Sequence, residues 1–182
     1  MIQVLGISGS LRKRSFNTAL LRSAASLAPD GMEIELADVR DLPLYDDDVR
    51  EGGYPPAALA LRKRAAEAKA FLFVTPEYNY STSGVLKNAI DWLSRGPDVP
   101  VTGKPLALMG ASQGMGGTTR AQYHLRQVAV FLDMPTVMKP EVFVRQAATV
   151  FDEDLGLKDE ATRKQVRSLL EALERLVRRY EK

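Results

Sequence analysis

The chain has no cysteine and only one histidine, His124. Disulfide scaffolds, thiol nucleophiles and thiolate metal sites are therefore excluded. A zinc site would have to be built from carboxylates around a single imidazole, an unusual shell, and no metal is expected. Neither sign of charge dominates: 25 Lys and Arg stand against 23 Asp and Glu, for a net charge of +2. The concentrated basic surplus of a nucleic-acid binder is missing. No apolar run approaches the ~18 residues needed to cross a bilayer. Met1 to Gly6 lacks the basic n-region of a signal peptide, since the first basic residue is Arg12. The expectation is a cytoplasmic protein with no membrane or nucleic-acid partner. Repeats and low-complexity tracts are absent too. What remains is a 182-residue chain, 45% hydrophobic and 26% charged, which reads as one globular domain over residues 1–182.

Short apolar runs alternate with helical patterns. Strands are expected at Ile2–Ile7, Met32–Asp38, Ala70–Thr75, Pro105–Ala111 and Thr136–Val144, the last broken by Pro140. Helices are expected at Asn17–Ala28, Ala57–Ala68, Gly84–Ser94, Thr118–Leu132 and Lys158–Tyr180, each with apolar residues at helical spacing. Arg40–Pro56 reads as a long loop. This alternation predicts an α/β fold with a parallel sheet and helices on both faces. Five strands favour the flavodoxin-like order 2-1-3-4-5, whose ligands bind at the carboxyl ends of the strands near the switch point.

Three loops at that edge are not generic. The first, Gly6 to Thr18, joins a strand to a helix N-terminus and carries Ser8, Ser10, Ser15, Asn17 and Arg12. Free N–H groups, hydroxyls and a guanidinium fork suit a phosphate; a serine-rich turn capping a helix is the alternative. It lacks the Gly-Lys-Ser/Thr of a Walker A loop and the third glycine of a dinucleotide fingerprint, so Asp38 at the end of the second strand carries little weight. The second loop, Pro76 to Ser83, places Tyr78 and Tyr80 where flat faces could meet a planar ring; aromatics docked on the neighbouring helix are the alternative. The third, Ser112 to Gly117, has three glycines in six residues, which allow close backbone approach to a ligand or simply a flexible turn. A phosphate site beside a planar-ring site describes a mononucleotide, best a flavin.

These residues resemble the NADPH-dependent FMN reductase family. Gly9-Ser10-Leu11-Arg12 with Ser15 and Asn17 is similar to its phosphate loop. Pro76-Glu77-Tyr78-Asn79-Tyr80-Ser81, followed by Gly84 and Leu86 to Trp92, is similar to its second signature. Gln122 to Gln127 and Lys139-Pro140-Glu141 resemble the bacterial quinone and chromate reductases within it. The likeness covers about the whole chain; Ser83 stands where proline is expected. The resemblance implies non-covalent FMN with NADPH or NADH as co-substrate. Ser10, Arg12, Ser15, Phe16 and Asn17 would hold the phosphate. Pro76, Glu77, Tyr78 and Asn79 would hold the ring and ribityl chain, and Ser112, Gln113, Gly114 and Gly117 would flank the ring. Ping-pong reduction of quinones, and of chromate, azo or nitro compounds as further acceptors, needs no side-chain acid or base, so no catalytic residue is assigned. A dimer or tetramer is also implied, with Arg120, Tyr123 and Glu141 as candidate subunit contacts. The competing expectation is a flavodoxin-type electron carrier without its own turnover, against which the lack of acidic surplus argues.

Other features read as structural. His124 is a lone helical histidine, Asp46-Asp47-Asp48 a solvated loop and Trp92 packing or interface. Lys13 and Arg14 read as solvated, and Glu171 with Arg175 and Glu174 with Arg178 as i,i+4 pairs on an exposed helix face.

Overall fold

The computed structural model describes residues 1–180. Its elements alternate: β1 (Ile2–Ser8), α1 (Phe16–Ser26), β2 (Met32–Ala37), α2 (Asp47–Glu51), α3 (Pro56–Glu67), β3 (Ala70–Val74), α4 (Gly84–Leu93), β4 (Leu106–Ala111), α5 (Thr119–Phe131), β5 (Val142–Val144), α6 (Ala147–Val150) and α7 (Glu160–Tyr180). All strand pairs are parallel and the order is β2-β1-β3-β4-β5. The expected flavodoxin-like sheet is the one that forms.

Burial follows from the sequence pattern. β3 and β4 are buried along their whole length, as continuous apolar runs in a doubly covered sheet should be. β2 alternates at its start because it is an edge strand. One core lies under α1 and α7, around Leu20, Leu72 and Leu170. The other lies under α3, α4 and α5, around Leu61, Phe73 and Leu125.

The differences from expectation are local. The segment Thr136–Val144 is not one strand. Thr136 makes an isolated bridge to Leu106, and only Val142–Val144 pairs as β5. Pro140 has no N–H to offer a ladder between them. Asp46-Asp47-Asp48 is not plain loop: Asp46 caps α2 by accepting the Asp48 N–H at 2.9 Å. Trp92 is fully buried; its indole N–H donates to the Pro43 carbonyl at 2.9 Å and pins the long loop to α4.

Candidate functional site

The switch point lies where β1 sends its connection one way and β3 the other. Gly9 fixes the approach of the first two loops there. A Cβ at Gly9 would come within 2.5 Å of Ser83 Oγ and 3.2 Å of Pro76 Cδ, so only glycine lets them meet.

Ser15 is the N-cap of α1: its hydroxyl accepts the Thr18 N–H at 3.2 Å. The first turn of α1 has no acidic residue. Among the described residues, no acceptor meets the backbone N–H groups of Leu11 to Asn17. Arg12 likewise has no ion-pair or hydrogen-bond partner among the described residues. Arg14 is not free, since it donates to the Glu153 carbonyl.

Asn17 is buried, and its side chain is used within the fold. It donates to the Ala111 carbonyl at 2.9 Å and accepts the Ala111 N–H at 2.8 Å. This bidentate clasp ties α1 to the end of β4. The clasp uses the side-chain oxygen and one amide N–H of Asn17, which leaves its backbone N–H and its second amide N–H. Phe16 packs on Phe151 with ring centroids 5.3 Å apart.

The loop after β3 is a two-residue hairpin. Tyr78 and Ser81 exchange both backbone hydrogen bonds, at 3.0 and 2.9 Å. The central residues Asn79 and Tyr80 have φ of 50° and 65°, the left-handed pair of a type I′ turn. Tyr80 is strained there, because a bulky side chain disfavours φ > 0. The strain is held by α5. Arg120 lies over the Tyr80 ring at 3.8 Å, and Ser81 Oγ meets His124 Nδ1 at 2.9 Å. The Glu77 carboxylate accepts the N–H groups of Arg120 at 2.9 Å and Ala121 at 3.2 Å, and pairs with the Arg120 guanidinium at 3.1 Å. Glu77 is thus the N-terminal cap of α5, supplied from another loop, and only its backbone is left for a ligand.

The loop after β4 is held from two sides. Ser112 Oγ donates to the Gly117 carbonyl at 2.6 Å, and Gln113 Oε1 accepts the Ala148 N–H at 3.0 Å. Gly117 has φ of 61° and lies against Phe143, so its role is the turn itself.

One cavity of about 170 Å³ collects these loops. Ser10, Arg12, Ser15, Phe16 and Asn17 line it from the first, Pro76, Glu77 and Tyr78 from the second, and Ser112 and Gln113 from the third. Asn79, Gly114 and Gly117 are outside its lining. Ala111 lines it without having been expected to. Tyr80, Arg120 and His124 also escaped sequence reasoning as the clamp on the second loop. At about 170 Å³ the cavity is smaller than ordinary ligand pockets, with room for one end of a mononucleotide. Tyr78 is exposed beside it, and Tyr80 and Met115 are exposed on the second and third loops.

Of the candidate subunit contacts, Arg120 is engaged inside its own chain, as described. Glu141 pairs with Lys139 at 2.7 Å, which holds its carboxyl below the usual range. Tyr123 remains exposed on α5.

The fold and this cradle define a flavodoxin-like mononucleotide-binding protein. A profile of the NADPH-dependent FMN reductases matches residues 2–149, and the chain belongs to that family. It is 54% identical to an NAD(P)H-dependent FMN reductase of Pseudomonas aeruginosa, over 98% of this chain and 96% of that one. It is 50% identical to the quinone reductase of Escherichia coli K12, over 77% and 76% of the two chains. Among solved structures it matches FerB, a flavoenzyme NAD(P)H:(acceptor) oxidoreductase from Paracoccus denitrificans. The TM-score is 0.90 and the identity 32%, with 99% of both chains covered.

Proposed function

We infer that this chain is an FMN-dependent NAD(P)H oxidoreductase that reduces quinones. The observation that carries the reading is the donor set at the start of α1: the N–H groups of Leu11 to Asn17 and the Arg12 guanidinium, which meet no partner among the described residues. Such a set fits the phosphate of FMN, since it offers a dianion oriented donors, a guanidinium fork and a helix dipole. Ser10, Arg12, Ser15, Phe16 and Asn17 would hold the phosphate, Phe16 by its backbone. The N–H groups of Glu77, Asn79, Gln113 and Gly114 find no acceptor among the described residues and would serve the polar edge of the ring. Gly117 would shape the third loop.

When bound, FMN takes a hydride from a nicotinamide and returns two electrons to an acceptor. The chain positions that exchange. The Glu77–Arg120–Tyr80 clamp fixes the hairpin, the Asn17 clasp fixes the distance between phosphate loop and β4, and Tyr78 is exposed beside the cradle. Nicotinamide and acceptor would share the exposed side of the cradle beside Tyr78, so the nicotinamide would leave before the acceptor enters, which is ping-pong kinetics. That exposed side also places little restriction on the acceptor, so chromate, azo and nitro compounds are proposed as further acceptors. Self-association as a dimer or tetramer is proposed through the exposed α5 face of Tyr123, Val130 and Phe131. Tyr123→Ala is expected to lower the mass in light scattering. Cytoplasmic location is proposed; among the described residues no helix is long and apolar enough to cross a membrane.

The test is an absorbance spectrum of purified protein, before and after anaerobic NADPH or NADH. Yellow protein that bleaches and regains colour with benzoquinone is expected. Yellow protein that does not bleach would indicate a carrier, and protein that stays colourless with added FMN would end the flavin reading.

A further inference from the structure

A second cavity of about 350 Å³ adjoins the cradle, in the cleft between α1 and the end of β2. Ser10 and Arg12 line both, so the two spaces meet across the phosphate loop. The cations of this cleft are Arg12, Lys13, Arg22 and Arg40, against the single carboxylate of Asp38. That local excess is larger than the +2 of the whole chain.

Several exposed cations elsewhere sit on carboxylates. Arg64 meets Glu35 at 2.7 Å, Lys87 meets Asp91 at 2.8 Å and Arg178 meets Glu174 at 2.6 Å. Among the described residues, the Arg12, Lys13 and Arg22 side chains have no partner of any kind. Arg40 uses one guanidinium N–H on the Leu11 carbonyl at 3.1 Å, and its backbone N–H donates to Asp38 at 3.0 Å. Unpaired cations converging on a concave space repel one another until an anion enters it.

We propose that this cleft takes the 2′-phosphorylated adenosine end of NADPH, with Lys13 and Arg22 selecting NADPH over NADH. The proposal rests on the oxidoreductase reading above. The cleft is large enough for a nucleoside phosphate. The ring loops follow β3 and β4, two to three strand spacings from β2, or roughly 10–14 Å. A dinucleotide with its nicotinamide beside Tyr78 spans that distance. A phosphate monoester carries nearly two negative charges at neutral pH, and guanidinium and ammonium groups discriminate it from the uncharged hydroxyl of NADH.

The test is the double variant Lys13→Ser, Arg22→Gln, which leaves Arg12 intact for FMN. Adenosine 2′,5′-bisphosphate and 5′-AMP are titrated calorimetrically, and KM is measured for both nicotinamides. The wild type is expected to prefer the bisphosphate, and the double variant to lose that preference. KM for NADPH should rise roughly 10- to 100-fold, the effect of one or two lost charge-assisted contacts. KM for NADH and the flavin absorbance should stay unchanged. Equal rises for NADPH and NADH would point to the shared pyrophosphate and overturn the proposal, as would no change in either. A wild type that oxidises neither nicotinamide would break the oxidoreductase reading alone. The calorimetric arm then still decides the cleft: a bisphosphate preference lost in the double variant upholds it as an adenosine-phosphate site, and no preference in the wild type sinks it.

Discussion

Two helix N-termini face the same edge of the sheet and differ in what fills them. At α5 the chain supplies its own anion: Glu77 accepts the first N–H groups, with Arg120 closing the pair at 3.1 Å. At α1 there is no acid in the first turn, and Ser15 satisfies only Thr18. Both ends have the same electrostatic preference for negative charge. At α5 that preference is met within the fold, and at α1 the proposed reading has the cofactor phosphate meet it. Space alone would have misled. A larger cavity, about 730 Å³, lies at the opposite end of the sheet beside Lys104. There the Lys104 ammonium already donates to the carbonyls of Ala65 at 2.7 Å and Ala66 at 2.8 Å. Unmet donors, not volume, mark the functional end.

The comparison breaks most severely if the two N-termini lose their common frame. Asn17→Ala would leave the buried N–H and carbonyl of Ala111 without partners. A loss of about 2–4 kcal/mol in unfolding free energy is expected, from two orphaned buried groups. Urea denaturation would show it, and an unchanged midpoint would mean that the clasp is dispensable. Next in size is a substitution that makes α1 resemble α5. Ser15→Asp caps a helix as well as serine does, so stability should hold within about 0.5 kcal/mol. The new carboxylate would occupy the place of the phosphate, and the Kd for FMN should rise roughly 100-fold through like-charge repulsion and lost donors. Flavin fluorescence titration reads this directly. Unchanged affinity would show that the phosphate lies elsewhere.

Much of this was legible in the sequence, for a physical reason. Fully buried parallel strands must be continuous apolar runs, so Ala70–Val74 and Leu106–Ala111 declare themselves. The first loop stands out because serines and an arginine gather between a strand and a helix N-terminus, which is why the phosphate is proposed to bind there. The roles of individual side chains were not legible where their partners are distant. Asn17 bonds a residue 94 positions away, and Glu77 one 43 positions away. The residue types suggest ligand contact for both, yet long-range geometry directs both side chains into the fold. The hairpin after β3 was hidden differently. Its turn residues, Asn79 and Tyr80, lack the glycine that usually signals a type I′ turn, and the strain at Tyr80 is sustained by α5.

Emptying the α5 end tests the comparison from the other side. Glu77→Ala removes a carboxylate whose side chain is only 11% exposed, together with its bonds to two N–H groups. About 1–2 kcal/mol of stability should be lost, in the range of N-cap and charge-assisted contributions. FMN affinity should fall only a few-fold, through loosening of the Tyr80 hairpin, because the phosphate end is untouched. A loss of affinity as large as that of Ser15→Asp would mean that Glu77 acts on the ligand itself.

The smallest effect is expected at a third N-terminus, that of α7. Asp159 accepts both the hydroxyl and the N–H of Thr162 at 2.7 Å, and these bonds lower its carboxyl below the ordinary aspartate range. A depressed pKa in the folded state means that ionised Asp159 favours folding above the unfolded-state value. That contribution disappears as pH falls through the folded-state value. Asp159→Asn keeps the oxygen acceptor without the charge and has no such step. The wild type should therefore melt slightly higher than the variant at neutral pH, and the gap should close in acid. A gap that persisted under acid conditions would mean that packing, rather than charge at the helix end, holds the first turn of α7.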